Sequence, residues 1–232
     1  IVLRQVDVGE SDRIASLLTA ERGRVEARVP RARKGGRRFG GLDLFVLAEV
    51  GFAPGRGAPK LSSARILGAF PRIRSDLVRV ALASYAAELL QQASVEEHES
   101  PELFRLARAA LESLDRPEGE EVGGLGWARA FELKLLHVLG VRPRLRRCAV
   151  SGRELSGTPG YWSTRLGGVL SGEALQEDPL ARPIPDEVLA RLDEALRRPL
   201  VQQAEVPWTA RTAREASSAL RDFVAEHVGV RD

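Results

Sequence analysis

Within its first 75 positions the chain carries five short apolar runs, IVLRQVDVG, RIASLLTAE, GRVEARVP, LDLFVLAEVGFA and LSSARILGAF, separated by Gly, Pro and charged residues. Runs of this length, rich in Val, Ile, Leu and Phe and bounded by turn formers, predict β-strands. In GRVEARVP the alternation is strict: Val25, Ala27 and Val29 fall on one face, Arg24, Glu26 and Arg28 on the other. Such a strand lays one side on a core and the other in solvent or on a ligand. Five strands at this spacing fit a small closed barrel of the OB type better than an open sheet.

From residue 75 the period becomes helical. Ser75 or Asp76 is placed to cap a helix whose inner face holds Val78, Leu82, Tyr85 and Leu89. Ser100-Pro101 reads as a cap followed by Pro at the first helical position, ahead of Leu103, Ala107, Ala110 and Leu114. WARAFELKLLHVLG brings Trp127, Phe131, Leu135 and Val138 into phase and stops at Gly140. Residues 141–183, rich in Gly, Pro and Ser, are expected to be irregular. Helices over 186–198 and about 209–227 follow, the second with Ala216, Leu220 and Phe223 facing inward. The pattern therefore predicts an α+β protein with an N-terminal barrel over 1–75 and a helical body after it.

At 232 residues and 44% hydrophobic content the chain has enough apolar surface for a real core. Its net charge of +3 conceals an asymmetry. Residues 1–80 hold 16 basic and 8 acidic side chains, a net of +8, and residues 81–232 hold 19 and 24, a net of −5. Such a split suggests different partners for the two parts. Cys148 is the one cysteine, which excludes an intramolecular disulfide and suggests a reducing compartment. The longest uncharged run, 155–164, is too short to cross a bilayer, and no signal-peptide pattern is present, so a cytoplasmic, nucleoid-associated protein is expected.

The positive charge is concentrated in RGRVEARVPRARKGGRRFGG, residues 22–41. Arg24 and Arg28 fall on the polar face of the third strand. Arg31, Arg33, Lys34, Arg37 and Arg38 fall in a loop between barrel strands, loosened by two Gly pairs. Like charges this close repel, and folding alone gives no reason to collect them. A groove of strand faces and adjoining loops is where OB folds hold oligonucleotides, so these cations are expected to meet phosphates. Phe39 stands next to them, either to stack a base or to enter the core. Nothing comparable indicates catalysis. GGLG at 123–126 lacks the Lys of a phosphate-cradling loop, and His98, His137 and His227 have no metal-binding spacing. His137, within an apolar helix, is expected to be a satisfied structural residue. Glu118, Glu120 and Glu121 read as a solvated acidic turn, and Ser151 and Ser171 have no evident base beside them.

Three stretches, GESDRIASLLTAERG (9–23), RFGGLDLF (38–45) and FELKLLHVLGVRPRLRRCAVSGRE (131–154), resemble signatures of the bacterial recombination mediator family RecO. The resemblance runs from Ile1 to about Leu175. It implies an OB fold that binds single- and double-stranded DNA, anneals strands without ATP, and works with RecR and single-stranded-DNA-binding protein (SSB) to load RecA. It also implies a helical domain over 76–145 and 176–232 interrupted by a small zinc-ribbon-like module at 146–175. Many relatives carry two CxxC pairs there, the spacing of a four-thiolate zinc site. Here the corresponding positions are Cys148, Ser151, Ser171 and Ala174, so the site is expected to be lost, no cofactor is expected, and packing of Tyr161, Trp162 and Leu166 is expected to replace the metal. The resemblance further implies a receptor for the acidic, apolar C-terminal tail of SSB. The dense cluster Arg142, Arg144, Arg146 and Arg147, beside apolar residues of the helix 127–139, is the candidate. The competing readings are an adaptor whose basic barrel docks an acidic protein, and a nucleotide-using enzyme, which the missing phosphate loop opposes.

Overall fold

The computed structural model describes residues 1–32, 39–54, 58–117, 120–155 and 157–229. They form two compact units, residues 1–118 and 119–232. The first holds strands β1 (Val2–Val8), β2 (Asp12–Thr19), β3 (Gly23–Val29), β4 (Leu47–Ala53) and β5 (Lys60–Gly68), then helices α1 (Pro71–Arg74), α2 (Leu77–Ala93) and α3 (Pro101–Leu114). The order across the sheet is β1-β2-β3-β5-β4, antiparallel except where β5 meets β3 in parallel at Arg28 and Lys60.

The predicted alternation holds in β3, whose Val25, Ala27 and Val29 are buried while Arg24, Glu26 and Arg28 face away. Those three, with Ala15, Leu17, Leu42, Val46 and Leu61, make one core cluster. The expected closed barrel is instead a five-stranded mixed sheet that does not close among the described residues. No ladder joins the edge strands β1 and β4 among the described residues. Instead Val2 N–H donates to the Val46 carbonyl and Phe45 N–H to the Val2 carbonyl, each at 3.0 Å. The reason lies in residues 42–46, expected to open the fourth strand. They fold as a turn, with Phe45 at φ 64°, so the segment that would extend β4 beside β1 is used to cap the core. Gly23 is required where it is. At φ 60° its backbone runs against residue 98, and a Cβ would lie 2.0 Å from the His98 carbonyl oxygen.

The first unit runs on from the sheet through α2 and α3, whose connection is bonded back to the sheet. Arg24 and Glu96 form a parallel bridge, with Arg24 N–H to Val95 O at 3.4 Å and Glu97 N–H to Arg24 O at 3.0 Å. Asp76 caps α2, accepting from Arg79 N–H at 3.0 Å. The buried Arg79 side chain then donates to the carbonyls of Leu114, Arg116 and Pro117, where α3 ends. A cation offsets the partial negative charge of a helix C-terminus. Val78, expected inside, is 54% exposed, and the inner face of α2 is built from Leu82, Ala83, Ala86, Ala87, Leu89 and Leu90. Ser100 precedes α3 as expected, but its side chain makes no cap bond and its carbonyl takes Phe104 N–H instead.

The second unit is built on α4 (Gly124–Val138), buried on nearly every side. Trp127 and Phe131 stack at 5.5 Å, and Arg129 and Glu132 pair at 2.5 Å within the interior. The helix ends at Gly140 as expected, with Val141 N–H bonded to Leu136 O at 2.9 Å. Residues 141–183, expected to be irregular, contain a small antiparallel sheet of β6 (Gly160–Ser163), β7 (Gly168–Leu170) and β8 (Arg182–Ile184), in the order β7-β6-β8. Its strands are too short for a period to register in the sequence. Helices α5 (Asp186–Arg197) and α6 (Ala210–Val228) follow, and Thr209 and Thr212 form a reciprocal capping box at the start of α6. Ala216, Leu220 and Phe223 are buried as expected, and Phe223 meets Trp162 at 5.8 Å. Among the described residues no helix is long and apolar enough to cross a membrane.

Candidate nucleic-acid interface

The predicted cations of β3 and its loop separate into distinct environments. Arg24 is half-buried, and its Nε has no hydrogen-bond partner among the described residues. Arg28 is well exposed but bound to Asp12, Nε to Oδ2 at 2.6 Å. Arg31 is exposed at φ 55°. Arg33, Lys34, Arg37 and Arg38 lie outside the described residues. Phe39 is buried in the core cluster, so its ring is no platform for a base. An aromatic ring next to glycines gains more from the barrel interior than from water.

Asp12, which the sequence did not single out, organises what remains. Its carboxylate accepts from the backbone N–H of Arg31 at 2.8 Å, from Arg28 and from the Ser11 hydroxyl at 2.9 Å. The Arg31 backbone bond above all, then the Arg28 and Ser11 bonds, lower its pKa to about 2. Lys60, also missed, is the register partner of Arg28 on β5 and is exposed. Arg28, Arg31 and Lys60 thus stand together where β3 runs into the basic loop. Three cations against one carboxylate leave a net charge of +2. Among the described residues Arg31 and Lys60 have no ion pair. Other cations of this unit are held by acids: Arg13 by Asp7, Arg22 by Glu97 and Arg65 by Glu49.

In the second unit the basic cluster after α4 is partly neutralised. Arg146 reaches Asp186 at 3.3 Å and Asp193 at 3.6 Å, and Arg147 reaches Glu154 at 3.4 Å. Arg144 donates to the Ala149 carbonyl at 3.0 Å, and Arg142 is exposed. These arginines line a depression of about 570 Å³ together with Pro143, Leu145 and Leu196. The apolar residues of α4 do not contribute to it, since Trp127, Phe131 and Leu135 are fully buried.

The four module positions hold Cys148, Ser151, Ser171 and Ala174, which offer one thiolate between them. Among the described residues no three His, Cys, Asp or Glu side chains are grouped to hold an ion. Cys148 is fully buried, and the backbone N–H of Ser171 approaches its sulfur at 3.4 Å and the Ser171 hydroxyl at 3.8 Å. Burial pushes the thiol pKa up, but bonds from the Ser151 side chain and from the backbone of Ser151, Ser171 and Val150 outweigh it and bring it to about 6. Ser151 and Ser171 thus serve as donors to the Cys148 sulfur. Trp162 is buried beneath the module, while Tyr161 and Leu166 are only half-buried. His137, expected to be structural, faces solvent, and His227 bonds Phe223 O at 2.8 Å and stacks on the Phe223 ring.

Two family models match the chain. A family model described as "Recombination protein O N terminal" matches residues 1–70, and one described as "Recombination protein O C terminal" matches residues 74–232. The "DNA repair protein RecO" of Anaeromyxobacter dehalogenans (strain 2CP-C) is 39% identical over 234 residues, covering all of this chain and 91% of the relative. That of Roseiflexus sp. (strain RS-1) is 33% identical over 233 residues, covering all of this chain and 80% of the relative. That of Pelobacter propionicus is 43% identical over 155 residues, 65% of this chain and 61% of the relative.

Proposed function

The chain belongs to the RecO family of DNA repair proteins, and on that premise we propose that it is a non-enzymatic, DNA-binding recombination mediator. It binds single- and double-stranded DNA, anneals strands, and assists RecA loading with RecR on SSB-coated DNA in the cytoplasm. The observation that carries the DNA contact is the group of Arg28 and Arg31, both bonded to Asp12, with Lys60 in register beside Arg28, at the start of a segment whose sequence adds Arg33, Lys34, Arg37 and Arg38. Phosphate contacts of this kind position a strand without reading its bases.

The test is fluorescence anisotropy with labelled oligonucleotides across a salt series. If about six cations meet phosphates of a single strand, log K falls with log salt at a slope of about −4, since about 0.7 counterions are released per contact. Charge reversal at Arg31 and Lys60 should weaken all sequences alike and flatten the slope by about 1.4. A salt-independent affinity overturns the reading.

The SSB tail docks at the depression beside Arg142 and Arg144, where two exposed cations border Pro143, Leu145 and Leu196. An Arg142→Glu, Arg144→Glu variant then loses tail-peptide affinity and keeps DNA binding; equal peptide affinity in both proteins would put the receptor elsewhere. The module needs no zinc, because Cys148 supplies the one remaining thiolate and its surroundings supply donors in place of ligands. Metal analysis of the purified protein reads well under one equivalent, and stoichiometric zinc would refute this.

A further inference from the structure

Between α6 and β8 lies a groove of about 770 Å³ that no part of the proposed function uses. Ligand clefts commonly measure about 300–1,000 Å³. One wall is apolar: Trp162, Ile184 and the two prolines beside it, Pro183 and Pro185, with Leu180 at the rim and 88% exposed. The other wall is acidic. Glu215, Asp222 and Glu226 are seven and four residues apart on α6, a spacing that sets all three carboxylates on one helix face. Glu226 lies in the last turn of α6, at the negative end of the helix dipole, where an acid is unfavourable to the helix itself.

Local partners do not neutralise this wall. Arg211 lies 3.6 Å from Glu215 but is shared with Glu187 at 3.7 Å, and Arg165 is engaged by Asp178 and by the Glu177 carbonyl. Among the described residues Asp222 and Glu226 have no ion pair. Arg182 is the remaining cation of the lining, one charge against three. Two polar atoms of the lining residues are also unsatisfied. Among the described residues Trp162 Nε1 and Glu215 Oε2 are both buried and without hydrogen-bond partners, one a donor and the other an acceptor.

We propose that this groove docks a cationic segment of a partner protein, an apolar anchor flanked by Lys or Arg. The anchor packs on Trp162, Ile184 and Leu180, and the cations meet Asp222 and Glu226. A small shift at the groove floor lets a peptide carbonyl accept from Trp162 Nε1 and a peptide N–H or cation donate to Glu215. Opposite charge across a rim sets partner choice and salt dependence. An acidic tail, which suits the arginines after α4, is excluded here by the same charges.

The probe is a short fluorescein-labelled peptide alternating Leu and Arg, titrated into the full chain, with the same peptide carrying Glu in place of Arg as the control. The Arg peptide should bind saturably and more weakly as salt rises, and the Glu peptide should not bind. Asp222→Lys with Glu226→Lys, both exposed, should weaken the Arg peptide about tenfold while leaving oligonucleotide affinity unchanged. Trp162→Phe keeps a ring and removes the N–H, and should also weaken it. Absence of saturable binding, equal affinity in the double variant, or preference for the Glu peptide overturns the proposal.

Discussion

Asp12 holds the start of the basic loop. One carboxylate fixes the Arg31 backbone and the Arg28 guanidinium just past the end of β3. Because its pKa falls from 3.8 to about 2 on folding, its stabilising effect is complete above the ordinary carboxylate range and is lost as pH drops through 2. Asp12→Asn should therefore melt at a lower temperature than wild type at neutral pH, with the gap closing between about pH 4 and pH 2. A gap that persists at pH 2 would mean that the carboxylate charge contributes nothing. At the same scale, Glu132→Ala leaves the buried Arg129 without its partner, and should cost about 3–5 kcal/mol in chemical denaturation.

Arg79 and Cys148 act on whole elements. Arg79 ties the first turn of α2 to the carbonyls that end α3, and no other buried cation of the described first unit does this. Arg79→Met keeps the aliphatic stem and removes the donors; denaturant unfolding should show a loss of about 2–3 kcal/mol from charged hydrogen bonds left unmade. In the module, the Cys148 pKa falls from 9.0 to about 6. A depressed acid stabilises the fold above its ordinary value and ceases to do so as pH falls through the folded one. Wild type should gain stability over Cys148→Ser between about pH 6 and pH 9, read from denaturation curves under reducing conditions. A pH-independent difference would show that the sulfur acts by packing alone.

For the molecule as a whole, the place of division changes the charge picture. The sequence gives +8 before residue 80 and −5 after it, but cut where the compact units meet the charges are +3 (19 basic, 16 acidic) and 0 (16 and 16). The acids of α2, α3 and their connection belong to the same unit as the basic sheet. Expressed separately, residues 1–118 should bind oligonucleotides with nearly the salt slope of the whole chain, and residues 119–232 only weakly. A slope halved in the first fragment would assign phosphate contacts to the second unit.

Local pattern was enough for the presence of five strands in the first sheet, the inner faces of α3 and α6 and the stop at Gly140, because each is written in neighbouring residues through period or cap. The RecO signatures were legible for the same reason. Long-range proximity was not. That Phe39 enters the core, that Arg28 is held by Asp12 and joined by Lys60, that residues 42–46 tie the sheet edges, and that α2 and α3 belong with the sheet all depend on pairings between positions far apart in the chain. The small sheet of the module and the acidic groove beside it depend on them too. Periodicity records which face of an element is apolar, and only the tertiary structure decides what that face, and the charges opposite it, come to meet.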